Sequence, residues 1–393
     1  MEINFNQVID RSNTNSIKWD HENQEILPMW VADMDFRAPQ PVIDALTERV
    51  QHGIYGYSEP NQAYFDAIIN WQEKRNDWKI QQDWIAFSPG VVPAVNMIIR
   101  TFANPGEKVL VQTPVYYPFF AAIANNGCQM ETNPMIFKDG KYHMDFEDLE
   151  KKTADPNLHI LILCSPHNPV GRVWTKEEMT RLGEICLKNE VLVISDEIHS
   201  DLILSGNKHT PFASISEAFA MNSITCMAPS KTFNLAGLQT SFLMIPNEKL
   251  RSRYLHTVEA TSLMTNTFGI TALTAAYTKG EAWLEKLLAY LESNLAFLND
   301  FVEKNMPEIK VIQPEGMYLV WMDFRALGLP KDDLEELMLK EAKIWLDEGY
   351  IFGTEGEGFE RINIACPRST LEEGLNRILS AVKKHREEGR LLS

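Results

Sequence analysis

Between about Asp83 and Ile245 the chain alternates short apolar runs with stretches of helical spacing, and few folds accept that pattern. The runs are Trp84–Phe87, Lys108–Gln112, Leu158–Cys164, Val191–Ser195, Ile224–Met227 and Phe242–Ile245. Segments between them, such as Lys176–Leu187, repeat apolar residues at helical spacing. Such alternation builds βαβ units and a mostly parallel sheet. HILILC and VLVIS are apolar without a polar face, as strands covered on both sides must be. Residues just past the carboxyl ends of such strands can converge in one crevice.

Three polar residues hold that position. Asn168 lies in CSPHNPVGR (Cys164–Arg172), Asp196 in VLVISDEIHSD (Val191–Asp201) and Lys231 in TCMAPSKTFNLAGLQ (Thr225–Gln239). An amide, a carboxylate and an amine meeting in one crevice are the parts needed to hold and activate pyridoxal phosphate (PLP). Singly, each has a commoner use: an Asn-Pro turn, an Asp that caps a helix, a solvated loop lysine. The string DEIHSD also invites a metal reading through Asp196, Glu197, His199 and Asp201. These side chains alternate in direction and no second ligand cluster accompanies them, so no metal is expected.

Outside the alternating region the texture differs. Met1–Arg37 reads as an extended arm that packs through residues such as Trp19, Met29 and Trp30. Pro39–His52 and Gln62–Arg75 have helical spacing, with the loop GIYGYSEPN between them. Glu281–Asn305 carries one long apolar stripe from Trp283 through Leu288 and Leu295 to Val302. Beyond it, strands are expected at Lys310–Gln313, Tyr318–Asp323 and Arg361–Ala365, and helices near Asp332–Gly349 and Leu371–Arg386. The expected division is an arm over 1–40 belonging to a small domain, a large cofactor-binding domain over 41–283, and a small α+β domain over 284–393.

A formal net charge of −17 argues against nucleic acid and anionic membrane as partners. The five cysteines are scattered without CxxC spacing, which suggests neither a zinc knuckle nor a disulfide framework. The first residues have no basic start and no apolar core of a signal peptide, and no apolar stretch approaches bilayer length. A cytoplasmic location is the expectation.

The matching strings LPMWVADMDF (27–36), YGYS (55–58), QTPVYYPF (112–119), CSPHNPVGRVW (164–174), ISDEIHSDL (194–202), APSKTFNLAGLQ (228–239), PEGMYLVWMDF (314–324) and RINIACPRSTLEE (361–373) span nearly the whole chain. Through them the sequence resembles the PLP-dependent fold-type I enzymes of the aspartate aminotransferase superfamily. Within these it is similar to the MalY/PatB branch of cysteine-S-conjugate β-lyases. The resemblance implies an α/β large domain of PLP-dependent transferase type with a smaller α+β domain. It implies β-elimination from L-cystathionine or a related cysteine S-conjugate, giving a thiol, pyruvate and ammonia. The alternatives are an aminotransferase on the same fold, or a lyase fold with an added regulatory binding role.

The resemblance also implies roles. Lys231 would hold the cofactor covalently and act as the base at Cα. Asp196 would pair with the pyridine nitrogen, Asn168 with the ring oxygen, and the Tyr116 ring, rather than Tyr117, would stack on the pyridine. The N–H groups of Gly90, Val91 and Val92 would receive the phosphate at a helix start, with the Ser230 hydroxyl beside them. His199 stands where many relatives have tyrosine, near the cofactor ring. Arg361 would grip the substrate carboxylate, with Arg368 as a nearby competitor and Ala32 lining the substrate side. Tyr57 would reach the site from a neighbouring subunit, so a homodimer with shared sites is expected. Gln239 replaces an arginine that often binds the phosphate, which leaves its role open.

Overall fold

The apolar runs become the strands of a seven-stranded sheet: β1 (Ile85–Ser88), β2 (Lys108–Val111), β3 (Gln129–Thr132), β4 (Leu158–Cys164), β5 (Leu192–Asp196), β6 (Ser223–Met227) and β7 (Ser241–Met244). The computed structural model describes residues 3–388. Residues 1–2 of the expected arm and 389–393 of the expected C-terminal domain lie outside the described residues. The strand order is β1-β7-β6-β5-β4-β2-β3. The pairs β2–β3, β2–β4, β4–β5 and β5–β6 are parallel, and only β7 runs against its two neighbours. Both β5 and β6 are buried along their whole length, because helices cover both faces. β3 escaped the sequence reading: QMET has one apolar residue and sits at the sheet edge.

Helices α1 (Gln40–His52) and α2 (Gln62–Asn76) precede the sheet, and α3 (Val91–Phe102) follows β1. α4 (Thr267–Lys279) packs against both α1 and α2. The long helix α5 (Glu281–Asn305) keeps its expected bounds and buries Trp283, Leu284, Leu287, Leu291, Leu298 and Val302. Each such side chain contributes about 1.5–3 kcal/mol relative to exposure. Leu288 and Leu295 are only partly buried, while Asn294 is buried inside the stripe. Its amide donates to the Ile364 and Cys366 carbonyls at 2.9 Å each, which ties α5 to the end of a strand.

That strand belongs to a second, antiparallel sheet of β8 (Lys310–Ile312), β9 (Leu319–Asp323), β10 (Asp347–Glu348) and β11 (Phe359–Asn363), in the order β8-β9-β11-β10. α6 (Arg368–Glu387) closes the described chain. The helix expected near 332–349 forms only over its first half. Only Lys331–Glu336 is α-helical, followed by a wide turn at Leu337–Glu341 and the short strands Ile344–Trp345 and β10. Ile344 and Leu346 are buried on the alternating pattern of extended chain, and pairing across the sheet overrides helix propensity there.

The arm has almost no regular structure, as expected, and packs by insertion. Phe5, Met29, Met34 and Phe36 are buried in the largest core cluster. Its two-residue strand Leu27–Pro28 pairs in parallel with Ile344–Trp345. Arg11 and Lys18 hold Asp33 and Asp35, with Lys18 Nζ 2.8 Å from Asp35.

Candidate active site

Parallel strands share one carboxyl edge, so β1, β4, β5 and β6 deliver their following residues to a common place. A cavity of about 340 Å³ opens there. Its lining includes Lys231, Asp196, Asn168, Tyr116 and His199, all named from sequence. Gly90, Val91, Val92, Ser230 and Ala32 complete the wall, together with Gln239.

Asp196 ends β5 and is buried. Burial pushes its carboxyl up to about 7, against a hydrogen bond from the Ile198 N–H at 3.1 Å and the pull of Lys231. Lys231 lies in the single turn Pro229–Thr232 after β6. Burial, then the positive charge of Arg361, bring its amine down to about 8, while Asp33 and Asp196 oppose that shift. Its Nζ donates to the Ala32 carbonyl at 2.7 Å, and the Tyr318 hydroxyl donates to the same oxygen at 3.0 Å. Asn168 accepts from Arg361 Nη1 through Oδ1 at 2.9 Å. That bond fixes the amide so that its N–H group remains available as a donor.

The helix α3 starts at Gly90 with no side chain capping it. Its first N–H groups therefore face the cavity end unsatisfied and suit an anion. Tyr116 lines the cavity, whereas Tyr117 packs its ring edge-on to Phe352 at 5.6 Å. His199 is buried with Nδ1 unpartnered and its ring edge-on to Tyr318. Burial, Lys231 and Arg361 hold its pKa well below the ordinary value, so the imidazole is neutral.

The DEIHSD residues divide, with Asp196 and His199 lining the cavity and the other two acids outside it. Glu197 turns away from the cavity to Ser195, His209 and the Phe212 N–H, and Asp201 binds Trp71 and Thr232. Arg361, on β11, is buried beside the cavity and reaches it through Asn168; Arg368 is turned away, onto Asn294 and Ser293 of α5. Tyr57 does not line this cavity. It is 95% exposed on the loop between α1 and α2, beside Met264 and Phe268.

Sequence reasoning missed Asp347 and the carbonyls of Trp30 and Ala32. Asp347 on β10 is buried against Arg361, its cross-strand partner. The short apolar run Ile344–Leu346, bounded by Lys343 and Asp347, was its available signal. The two carbonyls leave no trace in side-chain chemistry. Gly171 of the NPVG string has a structural part: its φ is +76°, and a Cβ there would stand 2.7 Å from Pro314 Cβ.

The residues present fit PLP. An uncapped helix start suits the phosphate, a buried carboxyl needing a positive partner suits the pyridine nitrogen, and a lysine amine of lowered pKa stands between.

Comparisons with known proteins bear on the fold and the cofactor. Residues 26–378 match the family model for aminotransferase class I and II. The chain is 47% identical over 386 residues to cystathionine beta-lyase PatB of Bacillus subtilis (strain 168), covering 97% of this chain and 100% of that protein. The crystal structure of cystalysin from Treponema denticola, which contains PLP, superposes with a TM-score of 0.95 at 43% identity, covering 98% and 100% of the two chains. A PLP-bound protein of Clostridium difficile 630, described as a candidate aminotransferase, gives 0.95 at 47% identity, covering 97% and 100%. With the match running from the arm through both sheets, the chain belongs to the aminotransferase class I and II family.

Proposed function

We propose that this protein is a PLP-dependent carbon–sulfur lyase that eliminates the sulfur substituent from L-cystathionine or a related cysteine S-conjugate. One observation carries the reading: a single cavity gathers Lys231, Asp196, Asn168, Tyr116 and the open start of α3. The 47% identity to a cystathionine beta-lyase supports the reaction class.

Bound in this cavity, PLP supplies an electron sink for the pair left at Cα when a proton departs. The chain's own residues do the rest. The N–H groups of Gly90, Val91 and Val92, with Ser230, hold the phosphate. Asp196 keeps the ring nitrogen protonated, and the Asn168 amide donates to the ring oxygen. Tyr116 covers one face. Arg361 takes the substrate carboxylate and so fixes the rotation about Cα. Ala32 lines the substrate side, and His199, neutral, sits by the ring without adding charge. Lys231, once its amine is free, accepts the Cα proton, and an amine with a pKa near 8 is suited to that step. A thiolate at Cβ then leaves, and water converts the released fragment to pyruvate and ammonia.

With purified enzyme and L-cystathionine, pyruvate and thiol should appear with no added keto acid. Silence on every cysteine S-conjugate, with conversion of alanine or an aromatic amino acid only when a keto acid is supplied, would establish an aminotransferase. That second reading has a specific basis in the Clostridium difficile relative.

The same proposal includes a homodimer with shared sites. Tyr55, Tyr57 and Met264 are exposed apolar residues that line one surface groove, which favours coverage by a second subunit. Tyr57 would then enter the partner's cavity. Mixing Lys231→Ala subunits with Tyr57→Phe subunits, each strongly impaired alone, should restore part of the activity through hybrids. A fully active monomer would refute the shared site. We also take 1–40 with 284–393 as a small domain and 41–283 as the large one, since Leu27–Pro28 pairs with Ile344–Trp345. Five buried, unpaired cysteines support a reducing, cytoplasmic setting. Among the described residues no helix is long and apolar enough to cross a membrane.

A further inference from the structure

Arg361 has five N–H donors, and counting them leads to Asp347. One Nη1 hydrogen goes to Asn168 Oδ1. Nη2 gives one hydrogen to the Trp30 carbonyl at 3.0 Å and the other to Asp347 Oδ2. Nε is buried without a partner. A carboxylate gripped by two parallel hydrogen bonds needs either the Nη1 and Nη2 edge or the Nε and Nη2 edge. Nη2 contributes to both edges, and both of its hydrogens are engaged. A bidentate grip therefore requires that Trp30 or Asp347 let go.

The Trp30 carbonyl is backbone and is locked in place. The Met29 N–H donates to the Trp345 carbonyl at 2.8 Å, and Asn363 Nδ2 donates to the Val31 carbonyl at 2.7 Å. Asp347 is a side chain on a two-residue strand, so its release needs only side-chain torsions and breaks no backbone hydrogen bond. Of the charges near the half-buried Tyr117 hydroxyl, that of Asp347 acts most strongly. Asp347 supplies the negative charge that a buried guanidinium requires. A substrate carboxylate brings the same charge and makes that service redundant.

We propose that Asp347 is a positioning residue: a resident carboxylate on Arg361 that the carboxylate of an amino-acid substrate displaces. It keeps the guanidinium ordered in the empty enzyme and lowers apparent affinity for every carboxylate ligand. The inference rests on the reading of Arg361 as the anchor for the substrate carboxylate.

The test uses the PLP-loaded enzyme and Asp347→Asn, which keeps the side chain's size and removes its charge. Propionate serves as the carboxylate probe, with its binding measured by titration calorimetry. KM and kcat for L-cystathionine are measured by pyruvate release. Asp347→Asn should bind propionate roughly tenfold more tightly and lower KM by a similar factor, with kcat within about twofold. Unchanged or weaker propionate binding in this variant would overturn the inference. Arg361→Ala separates the two readings: if it binds propionate as well as wild type, the anchor assignment itself fails. Should Asp347→Asn not fold, wild-type crystals soaked in propionate decide. Propionate on one Arg361 edge with Asp347 off Nη2 supports displacement, and propionate on Arg361 with Asp347 still on Nη2 refutes it.

Discussion

Lys231→Ala lowers turnover of L-cystathionine on the order of 10⁴-fold, the top of the range for losing a positioned base. The loss should be this large because one amine serves two purposes in the proposed mechanism. It is the attachment point for the cofactor and the base at Cα. Borohydride should no longer fix the cofactor to the polypeptide, and the visible absorbance of the attached cofactor should disappear. The fold should survive, since Lys231 makes one hydrogen bond, to the Ala32 carbonyl, and the Tyr318 hydroxyl still donates to that oxygen. Added primary amines, small enough to enter the vacated space, should restore a fraction of the rate. A variant with normal activity and an adduct still fixed by borohydride would mean that another lysine does this work.

Asp196→Asn should lower kcat/KM on the order of a thousandfold, equivalent to about 4 kcal/mol, the cost of leaving a buried charge without its partner. An amide cannot hold a proton on the pyridine nitrogen, so the electron sink weakens at the step that needs it. The cofactor-free protein gives a second readout. The Asp196 carboxyl is raised from its ordinary 3.8 to about 7 in the folded state. The folded chain therefore binds more protons than the unfolded chain between those values. Stability falls as pH rises from about 4 to 7. Cofactor-free wild type should lose melting temperature relative to Asp196→Asn across that window, and PLP should remove the difference by supplying a positive partner. Parallel melting curves for the two cofactor-free proteins from pH 5 to 7 would show that Asp196 is not strained by burial.

Much of this was legible before any coordinates. Apolar runs covered on both faces and alternating with helical segments point to a mostly parallel sheet, and the strand bounds at Leu158–Cys164 could be read directly, as could the helix at Glu281–Asn305 from its apolar stripe. A parallel sheet in turn places Asn168, Asp196 and Lys231 at one edge, because each stands at or shortly past a strand's carboxyl end. The resemblance supplied Tyr116, Gly90, Val91, Val92, Ser230, His199 and Ala32, and all of them line the cavity that holds those three.

What the sequence could not determine depends on partners distant along the chain. QMET becomes a strand only because a sheet edge is free to pair with it, and KIWLDE becomes extended only because β11 and the arm lie beside it. With that region taken as helix, Asp347 falls out of view. Its meeting with Arg361, fourteen residues on, needs a cross-strand register that no local pattern encodes. Likewise, the Ala32 carbonyl meets Lys231 across 199 residues of chain. Local periodicity determined most of the segments that fold and brought Asn168, Asp196 and Lys231 to the crevice, while the resemblance named the residues around them. Only tertiary packing decided their hydrogen bonds, and burial there moves Asp196 up and Lys231 down by removing water from their charges.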